Sequence, residues 1–289
     1  MSDLEPPSAE PNLISGPFVE VPAPDAETRD VILGVSPEGV AHVTLNRPHK
    51  KNAFNQETIG ALREAFETLH GAEHVRICFV KGAGGTFSAG ADLDWMKDST
   101  DWSEADNRDD AFQLARMLKA LYDVPALTVA VVEGAAFGGG AGLTAACDVA
   151  IALEDAKFAF SEVKLGLIPA TISPYVVDAI GPRWAKALFC TGAVFDARRA
   201  HEIGLVQEVA ATAEELAAIQ ARLTADIMAA GPQAVLEAKQ LVWKVWRRRI
   251  DDGLMQETAH LIAKKRVGDE GREGVRAFLE KRKPSWMTD

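Results

Sequence analysis

Three groups of residues could act together on a substrate that forms an anion: the turn Phe87-Ser88-Ala89-Gly90-Ala91-Asp92, the triplet Gly138-Gly139-Gly140, and the carboxylate of Glu162. The triplet opens a small-residue helix expected from Ala141 to Cys147. First-turn N–H groups of a helix lack intrahelical partners, so they are ready donors for an anion. Three glycines also let a helix pack closely on a sheet, and on residue types alone that reading stays open. They are not a dinucleotide fingerprint: with Gly138 and Gly140 in the first two glycine places, the third falls on Leu143. The small residues before Asp92 let backbone approach a ligand. Glu162 follows the short expected strand Lys157–Phe160 and stands among Phe160, Val163 and Leu165, whose apolar character is expected to raise its pKa toward the working range. One N–H from each glycine turn, aimed at one oxygen, would stabilise an enolate while Glu162 moved the proton. In a dry site each such donor is worth about 10²–10³ in rate. From residue types alone, a lone Glu at a strand end is more often a surface ion-pair partner.

Alternating strand and helix signals supply the elements that hold these groups. Val31–Val35 and Val40–Leu45 alternate around Ser36-Pro37-Glu38-Gly39 as a hairpin. The basic loop His49-Lys50-Lys51-Asn52 precedes a helix over Gln56–His70. A strand is expected over Val75–Lys81, a mobile acidic cover over Asp98–Asp110, a helix over Ala111–Tyr122, a short strand over Ala130–Glu133 and another over Val149–Leu153. Beyond Pro174 the signals are almost all helical, with short helices at Val176–Ile180 and Arg183–Cys190, a last strand near Leu205–Val209, and long helices to the end. The chain thus divides into a polar leader (1–27), rich in Pro, Glu, Ser and Ala and expected to be disordered, an α/β core (28–210) holding the site, and a helical region (211–289).

Composition narrows the function classes. With 289 residues, 47% hydrophobic and 25% charged, the chain can bury a large core. No apolar run reaches the roughly 20 residues needed to cross a bilayer, and the N-terminal residues lack a basic-then-apolar signal pattern, so no membrane association and a cytoplasmic location are expected. The three cysteines sit in apolar settings and no Cys/His pair has ligand spacing, so neither a disulfide framework nor a metal is expected. A net charge of −11 argues against nucleic acid as partner. The charge is uneven: from Lys244 to Asp289 there are 12 Lys/Arg against 8 Asp/Glu, so a small polyanion could dock there.

The segments VTLNRP, NAFN, FSAGADLDWMK, AFGGGAGLTAACDVAIA, FAFSEVKLGLIPA, IGLVQEV and GVRAFLEKRKPSW, in this order from about Asp30 to Trp286, resemble the crotonase (enoyl-CoA hydratase/isomerase) superfamily. The resemblance implies a spiral core of repeated ββα units, a C-terminal helical trimerisation region, and a homo-oligomer, trimer or dimer of trimers. It implies an acyl-CoA thioester substrate, with coenzyme A entering as part of that substrate and no further cofactor. Carried over by position, the oxyanion donors are the backbone N–H groups of Ala91 and Gly139, with Gly138 and Gly142 among the residues expected to contact the substrate, and Glu162 matches the family's second catalytic glutamate. The backbone of Ser88, Ala89 and Gly90 would meet adenine. Lys50 and Lys51 would meet phosphates, Trp95 and Met96 would line the acyl pocket, and Phe278 and Lys281 would reach coenzyme A across a subunit boundary.

One position departs from the pattern: ordinary hydratases carry a first catalytic glutamate where this chain has Gly142. That departure and the wording FGGGAGL with LIPATISPY resemble bacterial 3-methylglutaconyl-CoA and isohexenylglutaconyl-CoA hydratases. The resemblance therefore implies a hydratase of a branched or carboxylated enoyl-CoA. The alternatives are an enoyl-CoA isomerase with Glu162 as its sole base, a general short-chain hydratase, or a non-catalytic CoA- or RNA-binding member.

Overall fold

The computed structural model describes residues 29–287, so the expected leader falls outside the described residues. Among the described residues, nine strands form two sheets. In the larger, β1 (Val31–Val35) pairs antiparallel with β2 (Val40–Leu45), and β3 (Ile77–Gly82), β4 (Leu127–Val132), β6 (Val149–Leu153) and β9 (Glu208–Ala210) continue it in parallel, in the order β1-β2-β3-β4-β6-β9. β2 alternates buried and half-buried residues, whereas β3 and β4 are apolar runs covered on both faces, as interior parallel strands must be. The smaller sheet joins β5 (Ala135–Phe137), β7 (Lys157–Ala159) and β8 (Phe195–Asp196).

One face of the large sheet carries the main core. Helices α1 (Gln56–His70), α3 (Glu104–Tyr122), α4 (Gly139–Ala146) and α5 (Ser173–Thr191) bury Phe66, Met117, Leu143 and Val176 against Leu45, Val80 and Phe158. The opposite face is covered by α7 (Ala213–Ala229), whose Leu216 and Ile219 meet Ile77, Phe79, Val129 and Ile151.

Several boundaries differ from expectation. The acidic stretch is not a cover loop: α2 (Leu93–Ser99) is followed closely by α3, which starts at Glu104. Ser103 and Asp106 form a capping box, each side chain taking the other's backbone N–H at 3.2 Å, and acidic residues favour a helix N-terminus. The two short helices after Pro174 are one element, α5, broken only at Gly181, where φ is +73°. The glycine-opened helix starts at Gly139 rather than Ala141 and stops at Ala146, and β5 just before it has no periodicity to betray it.

After α6 (Ala197–Glu202) and β9 the chain is helical: α7, α8 (Pro232–Val245), α9 (Asp252–Val267) and α10 (Asp269–Glu280). Lys239 of α8 donates to the carbonyls of Val124 (2.7 Å) and Ala126 (3.0 Å) and pairs with Asp148 (2.6 Å), pinning α8 to the sheet. Gly231 cannot cap α8 with a side chain, so the Glu270 carboxylate of α10 accepts from the N–H groups of Gln233 (2.9 Å) and Ala234 (2.7 Å) instead. Among the described residues no helix is long and apolar enough to cross a membrane.

Candidate active site

The small sheet brings the three groups together. β5 and β7 run parallel, Phe137 opposite Ala159, and the pairing continues one step further as the Gly138 N–H donates to the Ala159 carbonyl at 2.8 Å. The glycine turn and the segment leading to Glu162 therefore leave the sheet side by side. On the other edge Ser88 bridges to Ala136, its N–H donating to Ala135 and its carbonyl accepting from Phe137. Ala91 bridges in turn to Phe54: the Phe54 N–H donates to Gly90 at 2.7 Å, and the Asp92 N–H to Phe54 at 2.8 Å.

The donor segments abut through glycine. A Cβ on Gly90, at φ +93°, would lie 2.9 Å from the Phe137 carbonyl oxygen and 3.8 Å from the Gly138 Cα. Ala91 and Gly139 are each one residue beyond that contact. Among the described residues no backbone partner takes the N–H of either. Gly138 has φ +49°, which swings the chain into the first turn of α4 so that the Gly139 N–H stands at the helix N-terminus. Phe54 serves both segments, because its backbone pairs with 90–92 while its ring packs on Gly139, where an added Cβ would sit 3.0 Å away.

Glu162 opens a single helical turn (Glu162–Leu165) and points back at the glycines, its Oε1 3.4 Å from where a Cβ on Gly138 would be. Its other oxygen, Oε2, is buried without a hydrogen-bond partner. Burial pushes its pKa above the ordinary carboxylate value, with its own backbone opposing more weakly. The apolar neighbours contribute unequally: Phe160 turns into the core against Phe189 and Phe195, whereas Leu165 is 61% exposed and cannot bury the carboxylate as expected.

Gly142 is buried, and its side-chain direction is blocked. A Cβ there would fall 2.1 Å from Cγ2 and 2.6 Å from Cβ of Ile172, which is 1% exposed. Ile172 had no sequence signal, since nothing in a linear pattern pairs a helix glycine with a loop residue 30 positions on.

The remaining expected residues are placed as follows. The N–H groups of Ser88, Ala89 and Gly90 are spent on Ala135, Lys51 and the Ser88 hydroxyl, and the carbonyls of Ser88 and Gly90 on Phe137 and Phe54; the Ala89 carbonyl has no partner among the described residues. Lys50 is exposed, bonded to Asp94 at 2.7 Å with Asp92 at 3.9 Å, whereas Lys51 lies in the left-handed region at φ +51°. Trp95 and Met96 lie half-buried on α2, and the Trp95 Nε1 is buried with no acceptor. Phe278, 83% exposed, and Lys281 lie at the end of α10, which packs on α9 and caps α8; they are not brought to the chain's own Glu162.

The arrangement offers two backbone N–H groups without backbone partners on abutting turns and a half-buried carboxylate of raised pKa beside them, which suits polarising a carbonyl oxygen while a proton moves at the adjacent carbon. Residues 36–289 match the enoyl-CoA hydratase/isomerase family. An enoyl-CoA hydratase of Alternaria alternata is 32% identical over 243 residues, 83% of this chain and 78% of its own. The solved enoyl-CoA hydratase of Shewanella pealeana is 39% identical, covering 89% of this chain and 96% of its own with a TM-score of 0.84. AtuE of Pseudomonas aeruginosa is 35% identical, covering 90% of this chain and all (100%) of its own with a TM-score of 0.85. With the two-sheet core, the paired glycine turns and the match all falling on the same residues, this chain belongs to the enoyl-CoA hydratase/isomerase, or crotonase, family.

Proposed function

We propose that the protein is an enoyl-CoA hydratase that adds water across the 2,3-double bond of a branched or carboxylated acyl-CoA such as 3-methylglutaconyl-CoA. The observation that carries this reading is the combination at α4: a buried, unpartnered Glu162 oxygen beside the glycine turn, and a Gly142 whose side-chain space Ile172 already fills. The Ala91 and Gly139 N–H groups bond the thioester oxygen as it becomes an enolate oxygen. Glu162 takes a proton from the water that attacks Cβ and returns a proton to Cα, so one carboxylate serves as base and then acid. A carboxylate on the substrate itself helps order that water. The free Ala89 carbonyl accepts from the adenine amino group, and Lys50 and Lys51 meet the coenzyme's phosphates.

Exposed apolar residues of the C-terminal helical region, among them Trp243 on α8, Trp246 and Ile250 in the loop after it, and Phe278 and Leu279 on α10, support a homo-oligomer in which Phe278 and Lys281 cover a neighbouring subunit's coenzyme A. A second reading rests on the same single carboxylate: Glu162 could carry a proton from one carbon to another, as an isomerase does. Turnover of methylglutaconyl-CoA against crotonyl-CoA, with product analysis for added water, tests both. A clear preference for crotonyl-CoA overturns the substrate class, and a shifted double bond without water uptake favours isomerisation.

A further inference from the structure

Resting on the oxyanion reading of Ala91, we propose that Arg47 is a positioning residue for the reaction: its guanidinium staples together the two backbone segments whose pairing presents the Ala91 N–H. Ala91 has no fixed place of its own. It is held by the short bridge to Phe54, made of two hydrogen bonds that flank it, from Phe54 to Gly90 and from Asp92 to Phe54. Arg47 reaches both sides of that bridge. Its Nη1 donates to the Ala53 carbonyl at 2.6 Å, the residue before Phe54, and its Nη2 donates to the Asp92 carboxylate at 2.9 Å, the residue after Ala91. Its Nε lies 3.3 Å from Asp30. The side chains of Arg47 and Asp92 are 10% and 5% exposed, so the link is formed largely out of water, where a planar fork with several donors holds direction better than a point charge.

Arg47 is itself fixed from behind. Its backbone N–H donates to Asn52 Oδ1 at 2.9 Å, while Asn52 Nδ2 donates to the carbonyls of Ala83 (2.9 Å) and Thr86 (2.6 Å), at the start of the turn that leads to Ala91. Asp92 also accepts from the Asp94 N–H at 3.0 Å and so caps α2, which means that a shift of Asp92 moves both the donor and the helix after it. Arg47 acts through the bridge.

The test uses the full chain and acetyl-CoA labelled with ¹³C at its carbonyl, read by infrared difference spectroscopy. Wild-type protein should lower the bound carbonyl stretch, because two donors polarise it. Arg47→Met should lose most of that shift and lower kcat by about 10–100-fold while KM changes little, since a misplaced donor costs the transition state more than the ground state. Losing the guanidinium leaves the buried Asp92 charge with only the more exposed Lys50 at 3.9 Å and destabilises the protein, so Arg47→Met/Asp92→Asn separates fold from position. That variant should recover Tm but not the carbonyl shift, and Arg47→Lys should recover part of the shift. Full carbonyl shift and full kcat in either Met variant overturn the role of Arg47. A wild-type protein that leaves the stretch unmoved overturns the oxyanion reading itself, and activity lost without any change in the spectrum assigns Arg47 to folding alone.

Discussion

The two sides of the candidate oxyanion site are built by opposite means. The Ala91 side is held by polar chemistry: a parallel bridge to Phe54, a buried Arg47–Asp92 pair, and an Asn52 that spends its amide on three backbone groups. The Gly139 side is held by the absence of side chains, for α4 approaches Ser88 so closely that a Cβ on Gly140 would lie 2.8 Å from both Cβ and the carbonyl oxygen of Ser88. A polar frame fixes direction but depends on charge and can be loosened by degrees. A steric frame fixes distance and fails abruptly when an atom is added. Glu162 faces the steric side, its Oε1 near Gly138 and its Oε2 buried without a partner.

The largest effect is expected at Glu162. Glu162→Gln should lower kcat by about 10²–10⁴-fold, the usual worth of a positioned acid or base. It should also raise Tm at neutral pH. The folded protein binds the Glu162 proton more tightly than the unfolded chain does, so this group's stabilisation is present below the ordinary glutamate range and is lost as pH rises through the raised folded value. Gln carries no charge to bury, so the Tm gain should shrink toward zero as the pH falls below that range. A variant that keeps full turnover removes Glu162 from the chemistry, and one with no Tm gain at any pH shows that burial does not raise the Glu162 pKa.

Next in size is Gly140→Ala. Its added methyl group meets Ser88 backbone, which cannot rotate away, so a stability loss of about 1–3 kcal/mol with a fall in kcat is expected from thermal melts and steady-state rates. Unchanged behaviour would break the contrast between the two sides. Gly142→Ala should lose stability for the same reason, but against a side chain. Pairing it with Ile172→Ala should recover much of the loss, a coupling of about 0.5–3 kcal/mol in a double-mutant cycle, whereas additive losses would show that Ile172 is not what keeps position 142 bare. The smallest structural effect is expected from Lys50→Ala. Its ion pair with Asp94 is exposed, so Tm should hold, and only KM for the acyl-CoA should rise. An unchanged KM takes Lys50 out of the phosphate contacts.

Much of this was legible in the chain. The hairpin of β1 and β2 and helix α1 follow from local periodicity, and their bounds match because alternation and 3.6-residue spacing depend on near neighbours alone. The beginning of α3 was misread where a capping box outweighs acidic composition. The family, the glycine turns and Glu162 were legible as ordered motifs. Hidden from the sequence were Phe54 as the piece shared by both donor segments, Arg47 as the staple across the bridge, and Ile172 as the occupant of the space beside Gly142.

The sequence by itself determined which groups are available: two glycine turns able to offer N–H donors, one carboxylate in an apolar run, and no side chain at position 142. Only the tertiary structure decided that these groups meet. Ala136 and Phe158 are 22 residues apart, yet they pair on neighbouring strands of one small sheet, and Ser88, 48 residues before Ala136, bridges to it at the edge. The fold also raised the proton affinity of Glu162, since a carboxyl group holds its proton more tightly the less water reaches it, and that burial is set by the fold rather than by the neighbours in the chain.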